Sequence, residues 1–237
     1  MQQFLQQEAQ QFNLSLSESQ LDAFNRYTEE LIAWNEKINL TTIIEPKEIV
    51  IKHFLDSLSV YPILSTLVPN FSLIDIGTGA GFPGIPLKIV LPDIQLTLLE
   101  ATGKKTKFLQ HLVETLALSK VRVVTGRAEE VGHQLEHRQQ YQVAVARAVS
   151  KLAVLVEYAL PLVKVGGLVI AQKGQDPADE VIASETALHI LGGKIKEVMP
   201  VDVPGLEASR HLVVIQKIKP TPKQYPRRSG LPAKEPL

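Results

Sequence analysis

The 237-residue chain has no cysteine. That excludes disulfides, thiolate–metal sites and cysteine nucleophiles. It has no uninterrupted apolar run of about 18 residues, the length a membrane-spanning helix needs. The opening residues, Met1-Gln-Gln-Phe-Leu-Gln-Gln-Glu8, carry no basic segment ahead of an apolar stretch and do not resemble a signal peptide. Together these absences point to a cytoplasmic protein. Charge of one sign is missing too: 25 Lys and Arg balance 25 Asp and Glu, so the whole-chain charge gives no reason to invoke a polyanion. His111, His133, His137, His189 and His211 fall at no spacing that would hold a metal with neighbouring carboxylates, so no metal is expected. Aromatics make up only 5% of the chain, but apolar residues reach 45%, enough for a sizeable core.

The neutral total hides a gradient. Residues 1–70 carry 4 basic and 9 acidic side chains, whereas residues 206–237 carry 7 basic and 2 acidic ones. The chain reads as three parts. Residues 1–66 form a helical region: Ser17-Glu-Ser-Gln20 resembles a capping box, and Leu21, Phe24, Tyr27, Leu31, Trp34 and Ile38 recur on one helical face. A second helix is expected from Pro46 to about Ile63. Residues 67–219 alternate strand and helix. The expected strands are Ser72–Ile76, Gln95–Glu100, Val121–Thr125, Gln142–Ala146, Gly167–Gln172, Lys194–Val203 and His211–Ile218. Helices are expected over Pro83–Val90, Lys104–Leu116, Lys151–Leu160 and Pro177–Leu191. Such alternation predicts an α/β fold of Rossmann-like type, a seven-stranded, mostly parallel sheet; the last two strands, with no helix between them, should form an antiparallel hairpin. Residues 220–237 are a basic, proline-rich tail, expected to lack regular structure and able to lie along a phosphate backbone.

The most informative stretch is Leu73-Ile-Asp-Ile-Gly-Thr-Gly-Ala-Gly-Phe-Pro-Gly84. An apolar strand ends in Asp75 and Ile76, and Gly77, Gly79, Gly81 and Gly84 then strip the turn into the next helix of side chains, so that a nucleotide-like ligand can lie against main chain. Residues 79–84 are a literal G-x-G-x-x-G, with Glu100 placed as a ribose partner, which keeps a nicotinamide oxidoreductase as an alternative. Two details favour S-adenosyl-L-methionine. Asp75 stands where dinucleotide folds put an apolar residue, and a carboxylate there can help hold the cofactor's ammonium. Pro83 lacks the N–H that a pyrophosphate would want. Glu100 suits the ribose of either cofactor. Ala128 and Glu129, after the third strand, offer a backbone N–H and a carboxylate to an adenine edge, or merely open a helix with acids. Phe82 can pack on the cofactor or in the core.

With Trp34-Asn-Glu-Lys-Ile-Asn-Leu-Thr41, His53-Phe-Leu-Asp-Ser57, Leu98-Leu-Glu100, Arg147-Ala148, Gln172-Lys-Gly174 and Arg210-His-Leu-Val-Val214, the glycine turn and its Phe82-Pro-Gly-Ile-Pro86 continuation resemble the bacterial ribosomal RNA small subunit methyltransferase G family, also called glucose-inhibited division protein B. The resemblance spans essentially the whole chain. It implies S-adenosyl-L-methionine as methyl donor and, as acceptor, N7 of guanine 527 in the 530 loop of 16S rRNA, with the rRNA or the small ribosomal subunit as partner; a monomer is the simplest reading of the oligomeric state. It also implies that Gly77, Phe82, Ala128, Glu129 and Arg147 line the cofactor site.

Guanine N7 presents a bare lone pair, so methyl transfer to it needs no general base. Arg147, opening the loop after the fourth strand, is expected to position substrate or cofactor, the competing role being a structural ion pair. Lys104, Lys105, Lys173, Arg227 and Arg228 are candidate RNA contacts, as is Lys107. His53 and Asp56 share a helical face and read best as a network joining the helical region to the sheet. A non-catalytic RNA- or ribosome-binding module, motivated by the basic tail, is the third reading.

Overall fold

The computed structural model describes residues 1–174 and 176–237. Two N-terminal helices come first, α1 (Gln2–Ala9) and α2 (Glu18–Asn35). The capping box is present: Ser17 Oγ accepts from the Gln20 amide and Gln20 Oε1 from the Ser17 amide. Leu21, Phe24, Tyr27 and Leu31 are the buried face of α2, with Trp34 and Ile38 half-buried beyond.

The expected helix from Pro46 is a broken one. It runs as α3 (Pro46–Ile49), a π-helical turn Val50–Leu55, α4 (Asp56–Leu58) and, after a kink, α5 (Tyr61–Leu64). Apolar periodicity fits 3.6 and slightly wider turns alike, so the π turn left no trace in the sequence; such turns recur at functional sites.

Seven strands follow: β1 (Ser72–Ile76), β2 (Gln95–Glu100), β3 (Val121–Thr125), β4 (Tyr141–Arg147), β5 (Val163–Lys173), β6 (Gly193–Val201) and β7 (Arg210–Lys217). They make one sheet in the order β3-β2-β1-β4-β5-β7-β6. β1 through β5 are parallel, and β7 is antiparallel to both β5 and β6. The connecting helices are α6 (Gly84–Val90), α7 (Gly103–Thr115), α8 (Ala128–Val131), α9 (Leu152–Ala159), α10 (Ala178–Ala183) and α11 (Glu185–Leu191). The expected single helix Pro177–Leu191 is thus two helices, broken at Ser184, whose hydroxyl turns back to the Val181 carbonyl.

Strand alternation sends side chains to two cores. Leu73, Val143, Val145, Ile170 and Leu212 join α2, α6, α7 and the π turn in one. Ile74, Ile76, Ala144, Val169, Val213 and Ile215 pack under α9 and α11 in the other. The N-terminal helices therefore complete the core of one sheet face. The order reverses between β1 and β4, and in such sheets the crevice beyond the carboxyl ends of the strands at that switch takes the ligand. Both β1, with its glycine turn, and β4, with Arg147, end there.

The tail is not a free arm. It ends in a short helix, α12 (Leu231–Lys234), and is bonded to the protein along much of its length. Among the described residues no helix is long and apolar enough to cross a membrane.

Candidate cofactor and acceptor site

The glycine turn leaves β1 through three left-handed glycines, Gly77 (φ +65), Gly79 (φ +60) and Gly81 (φ +104), a conformation that costs any other residue about 1–2 kcal/mol. Its amides are almost all committed. Gly77 and Thr78 donate to the Leu99 carbonyl, and Gly81 and Phe82 to the Thr78 carbonyl. Gly79 donates to Glu100 Oε2 (3.0 Å) and Gly84 to Asp75 Oδ2 (2.7 Å). Pro83 has no amide hydrogen to give. The turn therefore has little left for a pyrophosphate, and its two carboxylates would repel one. This removes the nicotinamide alternative on structural grounds.

The same carboxylates suit a ligand with a cationic end and a diol. Asp75 is fully buried, and Oδ2 also accepts from Thr78 Oγ1 (2.5 Å), while Oδ1 has no partner. Burial, outweighing those hydrogen bonds and the nearby Arg147 charge, lifts its pKa from 3.8 to about 6. Glu100 closes β2; Oε1 accepts from the Thr102 amide at 2.8 Å, and a carboxylate retains further lone pairs for two hydroxyls. Around Gly79 a Cβ would meet nothing within 4 Å, so there is open space over the turn. Ala128 and Glu129, both buried, stand beyond β3. An orphaned carboxylate oxygen, an open glycine and the second carboxylate fit S-adenosyl-L-methionine.

Phe82 lies between aromatic and cationic neighbours. Its ring stacks on His53 (4.5 Å between centroids) and Tyr27 (5.2 Å), and the Arg147 guanidinium lies 5.0 Å from its centroid. Tyr27, read from sequence as a core residue only, also donates to the Ala80 carbonyl at 2.6 Å, so α2 buttresses the turn directly.

Arg147 ends β4 and is mostly enclosed. It donates to Asp56 Oδ2 (2.8 Å), the Lys52 carbonyl (3.1 Å) and His53 Nδ1 (3.3 Å). Asp56 Oδ1 takes Arg210 Nε at 2.9 Å. One buried carboxylate thus joins the N-terminal helices to the ends of β4 and β7. With Nδ1 accepting from Arg147, His53 Nε2 donates to Thr41 Oγ1 (2.9 Å). Burial first, and then the Arg147 charge, lower the His53 pKa to about 4, so its imidazole is neutral at physiological pH.

Beside this network opens a cavity of about 350 Å³, walled by His53, Arg147, Ser150, Gln172, Lys173 and Arg210 among others. Gln172 donates its amide to the Asp56 carbonyl (2.7 Å) and Ser59 Oγ (3.3 Å), leaving Oε1 buried and without a partner. Arg210 and Gln172 were in the sequence motifs, but only the fold brings them to Arg147.

Two expected RNA contacts are engaged elsewhere. Lys173 Nζ donates to Glu180 Oε2 (2.7 Å) and the Ser150 carbonyl (2.8 Å), holding the loop after β4. Arg227 pairs with the fully buried Glu157, Nη2 to Oε2 at 2.7 Å. In the structure both make ion pairs, Arg227 with a carboxylate that is fully buried and Lys173 with one that is partly exposed. Lys104 and Arg228 are exposed and Lys105 is half-buried, with none of them in an ion pair among the described residues.

The sheet order, the acid-tipped glycine turn and the second acid on β2 define a class I S-adenosyl-L-methionine-dependent methyltransferase. Solved structures share this fold at low identity. M. jannaschii TYW2 in complex with AdoMet superposes with a TM-score of 0.51 at 12% identity, covering 69% of this chain and 77% of that one; MtNAS in complex with MTA and tNA does so with 0.56 at 16%, covering 84% and 71%. Sequence comparison is more specific. The family described as rRNA small subunit methyltransferase G matches residues 20–213. Proteins named ribosomal RNA small subunit methyltransferase G are 51% identical in Chloroflexus aggregans, over 95% of this chain and 94% of that protein, and 52% identical in Roseiflexus castenholzii, over 97% of each. The chain belongs to the rRNA small subunit methyltransferase G family.

Proposed function

We propose that the protein transfers a methyl group from S-adenosyl-L-methionine to N7 of guanine 527 in 16S rRNA, acting in the cytoplasm as a monomer on the rRNA or the small subunit. The observation that carries this reading is the pairing of a carboxylate-lined glycine turn with an adjoining cationic cavity in which, among the described residues, no side chain is poised as a base. Asp75 Oδ1 would meet the cofactor's ammonium, Glu100 the ribose hydroxyls, and Ala128 and Glu129 the adenine edge. Gly77, Gly79, Gly81 and Phe82 would shape the floor. The bound cofactor supplies an electrophilic methyl on a sulfonium.

What the chain itself must do is place the acceptor nitrogen in line and keep the base still. Such orientation is worth on the order of 7–11 kcal/mol in well-aligned reactions. N7 carries no proton, and His53, the nearest imidazole, has both nitrogens in hydrogen bonds. Arg147, locked by Asp56 and the π-turn carbonyl of Lys52, serves as a rigid wall and donor rather than an acid or base. Gln172 lines the cavity and its Oε1 is a buried acceptor without a partner; guanine, unlike adenine, carries an N2 amino donor. Lys104, Lys105 and Arg228 are left to contact phosphate.

The test is mapping 7-methylguanosine in 16S rRNA from cells with and without the gene, together with transfer in vitro by the wild type and Gly77→Val. Loss of one N7 methyl on deletion, and no transfer by the variant, supports the reading. An unchanged map refutes the acceptor.

A further inference from the structure

We propose that the C-terminal segment is a strap that sets the adenine-side carboxylate, with Gly230 and Arg227 as positioning residues for Glu129. The inference rests on the cofactor reading above and adds to it Gly230 and a positioning role for Arg227.

The anchoring is extensive. The Arg227 amide and Nε both donate to Glu157 Oε1 (2.8 and 3.0 Å), and Nη2 donates to Oε2. Arg138 spreads its guanidinium over the carbonyls of Thr221 (3.1 Å), Pro222 (3.1 Å) and Tyr225 (2.8 Å). His133 Nε2 donates to the Pro226 carbonyl at 2.7 Å. Gly132 admits this approach, since a Cβ there would lie 2.7 Å from the Pro226 ring. Upstream, the buried Lys217 Nζ donates to the Leu160 carbonyl and to Thr221 Oγ1.

The anchor has a target. Three residues after Arg227, Gly230 turns left-handed (φ +83), and its amide donates to Glu129 Oε1 at 2.9 Å. Ser229 Oγ donates to the adjacent Glu130 at 3.0 Å. Three residues reach no more than about 11 Å, so the Arg227–Glu157 pair confines where that amide can be. Glu129 belongs to a helix of only four residues, α8, too short to hold a side chain's orientation by itself. Among the described residues Glu129 Oε2 makes no hydrogen bond, so the strap uses one carboxylate oxygen and leaves the other for an amino donor. An ion pair some distance from the ligand thereby orients the group that would read the adenine 6-amino substituent. A tail lying on RNA would instead leave Glu129 free and Arg227 exposed.

Calorimetry separates the cases, with S-adenosylhomocysteine and its analogue lacking the 6-amino group as probes. The proteins are the full chain, a chain ending at Arg228, which keeps the Arg227–Glu157 pair, and full-length Gly230→Pro, which removes both the amide hydrogen and the left-handed turn that presents it. We expect both altered proteins to bind S-adenosylhomocysteine about tenfold more weakly, the scale of one charge-assisted hydrogen bond. The full chain should bind the analogue weakly, and the alterations should barely change that; kcat at saturating cofactor should stay put. Unchanged affinity for S-adenosylhomocysteine in both altered proteins overturns the strap and leaves the cofactor reading intact. Equal losses for both probes overturn the route through Glu129. Failure of the full chain to bind S-adenosylhomocysteine overturns the cofactor reading itself.

Discussion

Asp75→Asn is the substitution from which the structure extracts most. The carboxyl is fully buried, with Oδ2 bonded to Thr78 and Gly84 and Oδ1 bonded to nothing. Its pKa stands at about 6 against 3.8 for an unburied carboxyl, mainly because burial penalises the charge. A raised acid pKa means that the folded state binds the proton more tightly than the unfolded state does. Its contribution is therefore complete below about pH 4 and is lost as pH rises through 6. Roughly two pH units at 1.36 kcal/mol each make about 3 kcal/mol. Asparagine can keep both hydrogen bonds through its carbonyl oxygen and does not titrate. Urea unfolding of the two proteins at pH 4 and at pH 7 should show the wild type losing about 2.4 kcal/mol relative to Asp75→Asn across that interval, most of the full difference. Taking the difference cancels His53, whose lowered pKa makes stability fall as pH drops from 6.5 toward 4 in both proteins. Cofactor binding should run the other way. If the ammonium pairs with the ionised Oδ1, affinity at pH 5 should be about tenfold below that at pH 7 in the wild type and flat in Asp75→Asn. Parallel stability profiles for the two proteins would sink the argument about burial; parallel affinity profiles would sink the assignment of Oδ1.

Three further outcomes follow from the same geometry. Gly79→Val should cost about 1–2 kcal/mol of stability for its left-handed backbone, because its Cβ clashes with nothing, yet lower cofactor affinity at least tenfold by filling the space over the turn; denaturation and calorimetry on one sample check both. Asp56→Ala should destabilise by about 3–5 kcal/mol, since it leaves the Arg147 and Arg210 guanidinium groups enclosed without their carboxylate; a loss under about 1 kcal/mol in chemical denaturation refutes a buried network. Replacing Lys104 and Lys105 together by alanine should reduce the slope of log affinity for 16S rRNA against log salt by about 1.4, about 0.7 for each single-strand phosphate that is no longer neutralised, while Lys173→Ala, already paired with Glu180, leaves that slope alone.

Much of the fold was legible because its causes are local. β1, β2 and β3 begin and end where the apolar runs do, and the glycine turn announces itself because only glycine takes three left-handed positions cheaply. Asp75 and Pro83 were enough to favour a cofactor without a pyrophosphate, and the turn's committed amides give that preference its physical reason. Less legible were elements whose cause is distant. The π turn at Val50–Leu55 has ordinary helical periodicity; its significance lies in the Lys52 carbonyl that it turns to Arg147, 95 residues away. Lys173 and Arg227 read as free cations because charge is visible in sequence and pairing is not.

The sequence by itself therefore determined the strand–helix rhythm, the glycine turn, the acids that tip its flanking strands and the family. The tertiary structure alone decided which charges meet. It set Asp56 between Arg147 and Arg210, buried Glu157 under Arg227, and brought Gly230 to Glu129, pairs separated by 91, 154, 70 and 101 residues. The reason is that backbone preference acts over a few neighbouring residues, whereas a buried ion or hydrogen-bond partner is chosen by whatever the folded sheet and helices place within about 3 Å.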